Sequence, residues 1–205
     1  TIHTKSHYHG HFRYTAKLYA IESTESRPAG NRLNQLLRPP WRQHTRSLKS
    51  MQFPFVNAPS ADSLATLFLT SEQLPKWREN QSERVRRWLD TARFAGKAGT
   101  HCIIPGEDGR PAQLLVGRAS DDWLWAMAHL PNSLGPVICE LTAPPAPHDA
   151  ALAALGFGLG AYRFTRYGAK AIEPAKLVIP ANVDATQLHA ELRAISLTRD
   201  LINTA

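Results

Sequence analysis

The rhythm of apolar and polar positions changes at about residue 51. Before it, apolar runs are short and neither a 3.6-residue nor a 2-residue period persists. After it, periodic segments follow one another. The run 65–70 (A-T-L-F-L-T) is short, β-branched and aromatic, and predicts a buried strand. Across 82–94, Val85, Trp88, Leu89 and Ala92 recur at helical spacing with charged residues around the rest of the wheel, which predicts an amphipathic helix. Strands at 102–104 and 113–117 flank the turn signal P-G-E-D-G at 105–109, a hairpin. Residues 121–130 (D-D-W-L-W-A-M-A-H-L) read as a short helix with an acidic start.

A strand at 137–141 then runs into Pro144, Pro145 and Pro147, which predict a loop. Residues 149–167 read as a helix whose stripe is Leu152, Leu155, Leu159 and Tyr162. A strand at 176–179 follows. Asp184 and Gln187 have the D-x-x-Q form of a capping box and open a last helix, with Leu188, Leu192 and Ile195 on one face. Strands alternating with helices, plus one antiparallel hairpin, predict an α/β fold with a mixed β-sheet sandwiched by helices. The expected organisation is a flexible basic arm over 1–50, an α/β domain over 51–183, and a last helix over 184–205.

Charge sharpens the boundary. The first fifty residues hold nine of the 24 Lys and Arg but two of the 17 acids, so the other 155 residues carry fifteen charges of each sign. The net charge of +7 therefore belongs entirely to the arm, and the body is neutral. Met51 stands where the composition shifts. Three readings of 1–50 stay open: sequence upstream of the natural start, a functional basic arm, and an organelle transit peptide. No run of 18 apolar residues predicts a membrane span. Cys102 and Cys139 form no C-x-x-C pair, which excludes a zinc finger and suits a reducing, cytoplasmic setting.

The candidate chemistry is thin. Gly156, Gly158, Gly160 and Ala161 fit G-x-G-x-x-A, but helix formers precede them where a dinucleotide site needs a strand. Small residues that let a helix pack closely on the sheet are the better reading. His3, His7, His9 and His11 are the densest set of metal-ligand types, on a segment without preformed geometry. His101 and Cys102 are adjacent on a strand, so their side chains point to opposite faces and make no nucleophile–base pair. Asp121 and Asp122 read as a helix start, and Glu107 and Asp108 as hairpin-loop residues. Taken alone, the residues assign no catalytic, cofactor or metal position.

Two segments carry a resemblance. L-G-A-Y-R-F-T-R-Y at 159–167 resembles the L-G-x-Y-x-F-x-x-Y segment late in the amino-terminal domain of leucyl aminopeptidases, the cytosol aminopeptidase family. T-R-D-L-I-N-T-A at 198–205 resembles the segment on the helix joining that domain to the catalytic one. The stretch 94–136, with C-I-I-P-G-E-D-G and L-V-G, is similar to a bacterial branch of the family.

The resemblance implies a macro-domain-like amino-terminal module, followed in the whole enzyme by a catalytic domain with two manganese or zinc ions that activate a water. It also implies a hexameric parent. The lysine-containing metal motif and the N-T-D-A-E-G-R segment of that second domain are absent from this sequence, so no metal or catalytic residue carries over. A fragment or truncated frame, inactive by itself, is the expectation. Arg163, Arg166 and Arg199 lie in the matching segments and read as helix-surface or interface groups. The expected partners are the missing catalytic domain and further copies of the chain. The rival expectation is a nucleic-acid-binding or protein-interaction module that uses the basic arm, because phosphate contacts need little beyond Lys and Arg.

Overall fold

The computed structural model describes residues 51–164 and 173–204. The 1–50 segment, with His3, His7, His9 and His11, and Arg166 lie outside the described residues. Among the described residues six strands form one sheet: β1 (Phe55–Val56), β2 (Leu64–Leu69), β3 (His101–Pro105), β4 (Pro111–Gly117), β5 (Ile138–Leu141) and β6 (Lys176–Val178). The order across the sheet is β1-β6-β5-β2-β4-β3, and only the β3/β4 pair is antiparallel. The mixed α/β sandwich expected from the pattern is therefore present, with the hairpin at one edge. Among the described residues no helix is long and apolar enough to cross a membrane.

Period-2 alternation in β4 decides the layers. Leu114 and Val116 face one cluster, and Leu115 faces the other; all three are fully buried. On one side lie α1 (Gln73–Glu79) and α2 (Glu83–Ala92), whose Leu74 and Leu89 pack with Leu69, Cys102 and Ile104. On the other lie α3 (Leu130–Ser133), α4 (Pro147–Gly160) and α5 (Ala185–Ile202). Phe157, Met127, Leu130 and Leu192 fill the larger core there.

The unexpected elements have local causes. Helix α1 is announced by a capping box not recognised in the pattern: the Thr70 hydroxyl accepts from Gln73 N at 3.2 Å, and the Gln73 side chain accepts from Thr70 N at 3.1 Å. Strand β1 has two residues and pairs only with β6, too short for any periodicity to announce it.

Two expected helices need correction. Residues 121–123 are irregular and 124–129 are turns, and only Leu130–Ser133 becomes helical. Asp122 caps the first turn by accepting from Trp125 N, and Ala128 N then reaches Trp125 O. The carbonyls of Leu124 and Ala128, which a helix would use internally, instead abut Gly156 and Gly160 of α4. Helix α4 begins at Pro147, which occupies the first turn rather than a loop, because that position has no use for an N–H. It stops at Gly160 instead of continuing toward Tyr167. Its last carbonyls are taken by side chains: Asn132 donates to Gly160 O at 2.7 Å and Arg199 to Leu159 O at 3.2 Å. Its deepest face is Ala153, Ala154, Gly156, Phe157 and Gly158, while Leu152 and Leu155 are half-buried. In α5, Asp184 caps Thr186 N and Gln187 N, but Gln187 bonds Glu191 rather than closing the box.

Helix α2 forms where the spacing predicts it, capped by Ser82, yet Trp88 is 43% exposed and Ala92 is exposed, so the buried stripe narrows to Leu89 with Val85 half-covered. Trp88 has other work. Gly117 N bonds Thr100 O at 2.8 Å, and antiparallel alternation then turns Ile103 toward the open edge of β3. The Trp88 indole donates to Ile103 O at 2.8 Å, and Arg84 donates to Pro105 O and Gly106 O at 3.0 and 2.7 Å. Helix α2 thus occupies the acceptors that an incoming strand would use. Trp88→Ala is expected to shift the chain toward concentration-dependent self-association in sedimentation velocity. A profile identical to that of the unsubstituted chain would contradict this.

Candidate functional site

The chain leaves β2 for β4 on one side and later returns to β5 on the other, so the carboxyl end of β2 is the topological switch point of the sheet. Open α/β sheets place ligands there. The position is occupied by the protein itself. Arg118, the first residue after β4, donates its backbone N–H to Leu69 O at 3.1 Å. Its guanidinium lies 3.9 Å over Trp123, whose ring meets Phe68 edge-on at 5.2 Å. It also donates to the carbonyls of Ala119 and Ser120. Burial lowers the Arg118 pKa, while Asp149 and Asp121 oppose that shift. This cation holds its own loop in place.

Behind it, His101 and His129 stack with centroids 5.4 Å apart. Both nitrogens of His129 are buried without a protein partner. Burial first, and His101 second, push His129 down to about 4, and burial lowers His101 as well. Two neutral imidazoles with no nucleophile in reach make no acid–base relay at neutral pH.

The other candidates disperse. Cys102 faces the α2 side while His101 faces α3, as strand alternation requires. Burial raises both thiols, Cys139 to about 12, so neither is a ready thiolate. Gly156 and Gly160 lie against backbone carbonyls and Gly158 against Leu192, so the glycines bring α4 onto the 124–128 turns and α5 rather than onto the sheet. No strand precedes them, and a phosphate has no access. Asp108 accepts from Arg110 N in the hairpin loop. At the amino ends of β2, β4 and β5 lies an open cleft of about 710 Å³ that includes Asp62, Asp108, Arg110 and Pro136. Its acids do not converge. Among the described residues no three His, Cys, Asp or Glu come together, so they do not fit a two-metal centre.

The matching segments, by contrast, meet. The Tyr162 hydroxyl donates to Asp200 Oδ1 at 2.7 Å, and Asn203 donates to that hydroxyl at 3.4 Å. The Arg199 guanidinium sits 5.2 Å above the Tyr162 ring while it holds Leu159 O. Arg163 is exposed, and Arg199 is half-buried in this cluster. Burial raises the Tyr162 pKa, and the bond to Asp200 adds to it. Spacing within either segment alone does not reveal the cluster, because its members are some 40 residues apart in sequence.

Residues 65–180 match the family described as M17 aminopeptidase, N-terminal domain. The chain belongs to that family. As an M17 amino-terminal domain, it is similar to the crystal structure of cytosol aminopeptidase from Coxiella burnetii, with 28% identity and a TM-score of 0.67. That match covers 73% of this chain and 33% of the other. The bottromycin maturation enzyme BotP is similar in fold at 23% identity and TM-score 0.50, covering 70% of this chain and 33% of its own. The M17 domain chain thus spans about a third of the length of these structures. No curated protein matches it. None of the comparisons favours a nucleic-acid-binding module.

Proposed function

We propose that this chain is the non-catalytic amino-terminal domain of a metal-dependent leucyl aminopeptidase. The observation that carries the reading is the match of 65–180 to the family's amino-terminal domain, on a fold whose described residues hold no converging acid–base or metal-ligand set. The parent enzyme would remove amino-terminal residues from peptides in the cytoplasm, with manganese or zinc held by a separate catalytic domain. That domain and further copies of the chain are the partners this reading names. Helix α5 supports both: Leu201 and Ile202 near its end are 52% and 71% exposed, apolar surface suited to a protein contact.

Joining residues 51–204 to an M17 catalytic domain that lacks its own amino-terminal domain tests the proposal. The fusion is expected to hydrolyse leucine amides with added manganese and to melt above the catalytic domain alone. A folded fusion that melts no higher, with no gain in turnover, would count against it.

A further inference from the structure

Packing explains only part of how α5 is held. Leu188, Leu192 and Ser196 are buried, and Leu192 lies against Gly158 of α4, where an added Cβ would come within 2.6 Å of it. After Ser196 the fully buried positions end: Leu197 is half-buried, and Leu201 and Ile202 face solvent. The last turns of α5 would fray if nothing replaced that burial. What replaces it is polar, and it is the cluster built from the two matching segments. Arg199 takes the Leu159 carbonyl at the end of α4, Asp200 accepts from the Tyr162 hydroxyl, and Asn203 donates to the same oxygen. Residues 199, 200 and 203 lie on one side of the helix at i, i+1 and i+4, and all three reach the single turn that follows Gly160.

We propose that Tyr162, Arg199, Asp200 and Asn203 form a joint that locks the end of α5 to the end of α4, so that α5 leaves the domain as a rigid strut of fixed direction rather than as a hinge. Tyr162 is the positioning residue. Its hydroxyl is donor to one α5 residue and acceptor from another, and its ring lies beneath a third. That the strut carries a catalytic domain rests on the function proposed above. The joint itself does not, because all four residues belong to this chain.

Tyr162→Phe removes the hydroxyl and leaves the ring under Arg199. Spin labels at the exposed positions His148 and Ile202, at opposite ends of the α4–α5 pair, read the direction of the strut. The unsubstituted chain is expected to give one narrow distance distribution. In Tyr162→Phe the distribution should at least double in width, and amides 199–203 should exchange at least fivefold faster. Those of β2 and β4 should stay within twofold. Asp200→Asn keeps an acceptor oxygen for the hydroxyl and should restore most of the narrow distribution that Asp200→Ala loses. The proposal is overturned if Tyr162→Phe leaves the width and the 199–203 exchange unchanged, or if exchange rises equally throughout the sheet. Asn203→Ala supplies the same readings should Tyr162→Phe fail to fold. Aminopeptidase turnover by this chain would refute the proposed function and leave these distances as they are.

Discussion

Gly156→Ala is expected to abolish the cooperative fold at 37 °C. A Cβ at this position would stand 1.5 Å from Leu124 O, and at Gly160 it would stand 1.8 Å from Ala128 O. Both obstacles are backbone, so no rotamer change relieves them. Either α4 moves off the 124–128 turns, opening the core around Phe157 and Met127, or those turns rebuild. Overpacking that side chains absorb costs about 1–3 kcal/mol, and a clash with fixed backbone exceeds that range. A loss above about 4 kcal/mol leaves little at the low end of the roughly 5–15 kcal/mol that holds an ordinary domain folded. Gly158→Ala is the internal comparison, since its Cβ would meet only the Leu192 side chain at 2.6 Å, which can turn aside. Its expected cost is about 1–2 kcal/mol. Urea unfolding of the two variants checks the order, and a Gly156→Ala midpoint close to that of the unsubstituted chain would contradict the close-packing account.

The second large effect is a loss of stability in mild acid. His129 titrates at about 4 in the folded chain and near 6.5 when unfolded, because burial and the neighbouring His101 disfavour its charged form. The unfolded chain therefore binds the proton more readily. The contribution is fully present above about pH 6.5 and is lost as the pH falls toward 4. A gap of this size has a ceiling near 3 kcal/mol, and the partial access of solvent to the ring brings the expected loss to about 1–2 kcal/mol. Burial shifts His101 in the same direction, so it adds to the slope. His129→Leu, which needs no polar partner, should flatten the decline between pH 6.5 and 4 relative to the unsubstituted chain. Equal slopes would remove His129 as the cause.

Local signals carried much of the fold. Asp184 is a helix cap in the structure, the hairpin across 105–109 is present, and the strands at 65–70, 113–117, 137–141 and 176–179 fall within a residue or two of their expected limits. What escaped the pattern depends on neighbours distant in sequence. The 121–129 segment has the composition of a helix, but its carbonyls are drawn to the glycines of α4, some 30 residues on. Trp88 sits at a core spacing yet turns to the sheet edge, because an indole N–H satisfies a β3 carbonyl that water would otherwise hold. The 159–167 and 198–205 segments were recognisable as family signatures, while the Tyr162–Asp200 bond that ties them together appears only once α4 and α5 are packed. Thr70 and Gln73 were a readable capping box that the apolar pattern, with Pro75 beside it, did not bring forward.

The reading of this chain as a domain that supports catalysis without performing it rests on its family and on the scatter of the titratable side chains among its described residues. Hydrolysis of an amide by two metal ions needs several carboxylates converging on one pocket, with further groups orienting them. The most direct test is a leucine-amide assay on the purified chain with manganese or zinc added, in a preparation shown by mass spectrometry to hold no longer aminopeptidase chain. The account predicts no turnover above the metal-only control, and metal-dependent turnover that follows this chain through purification would contradict it.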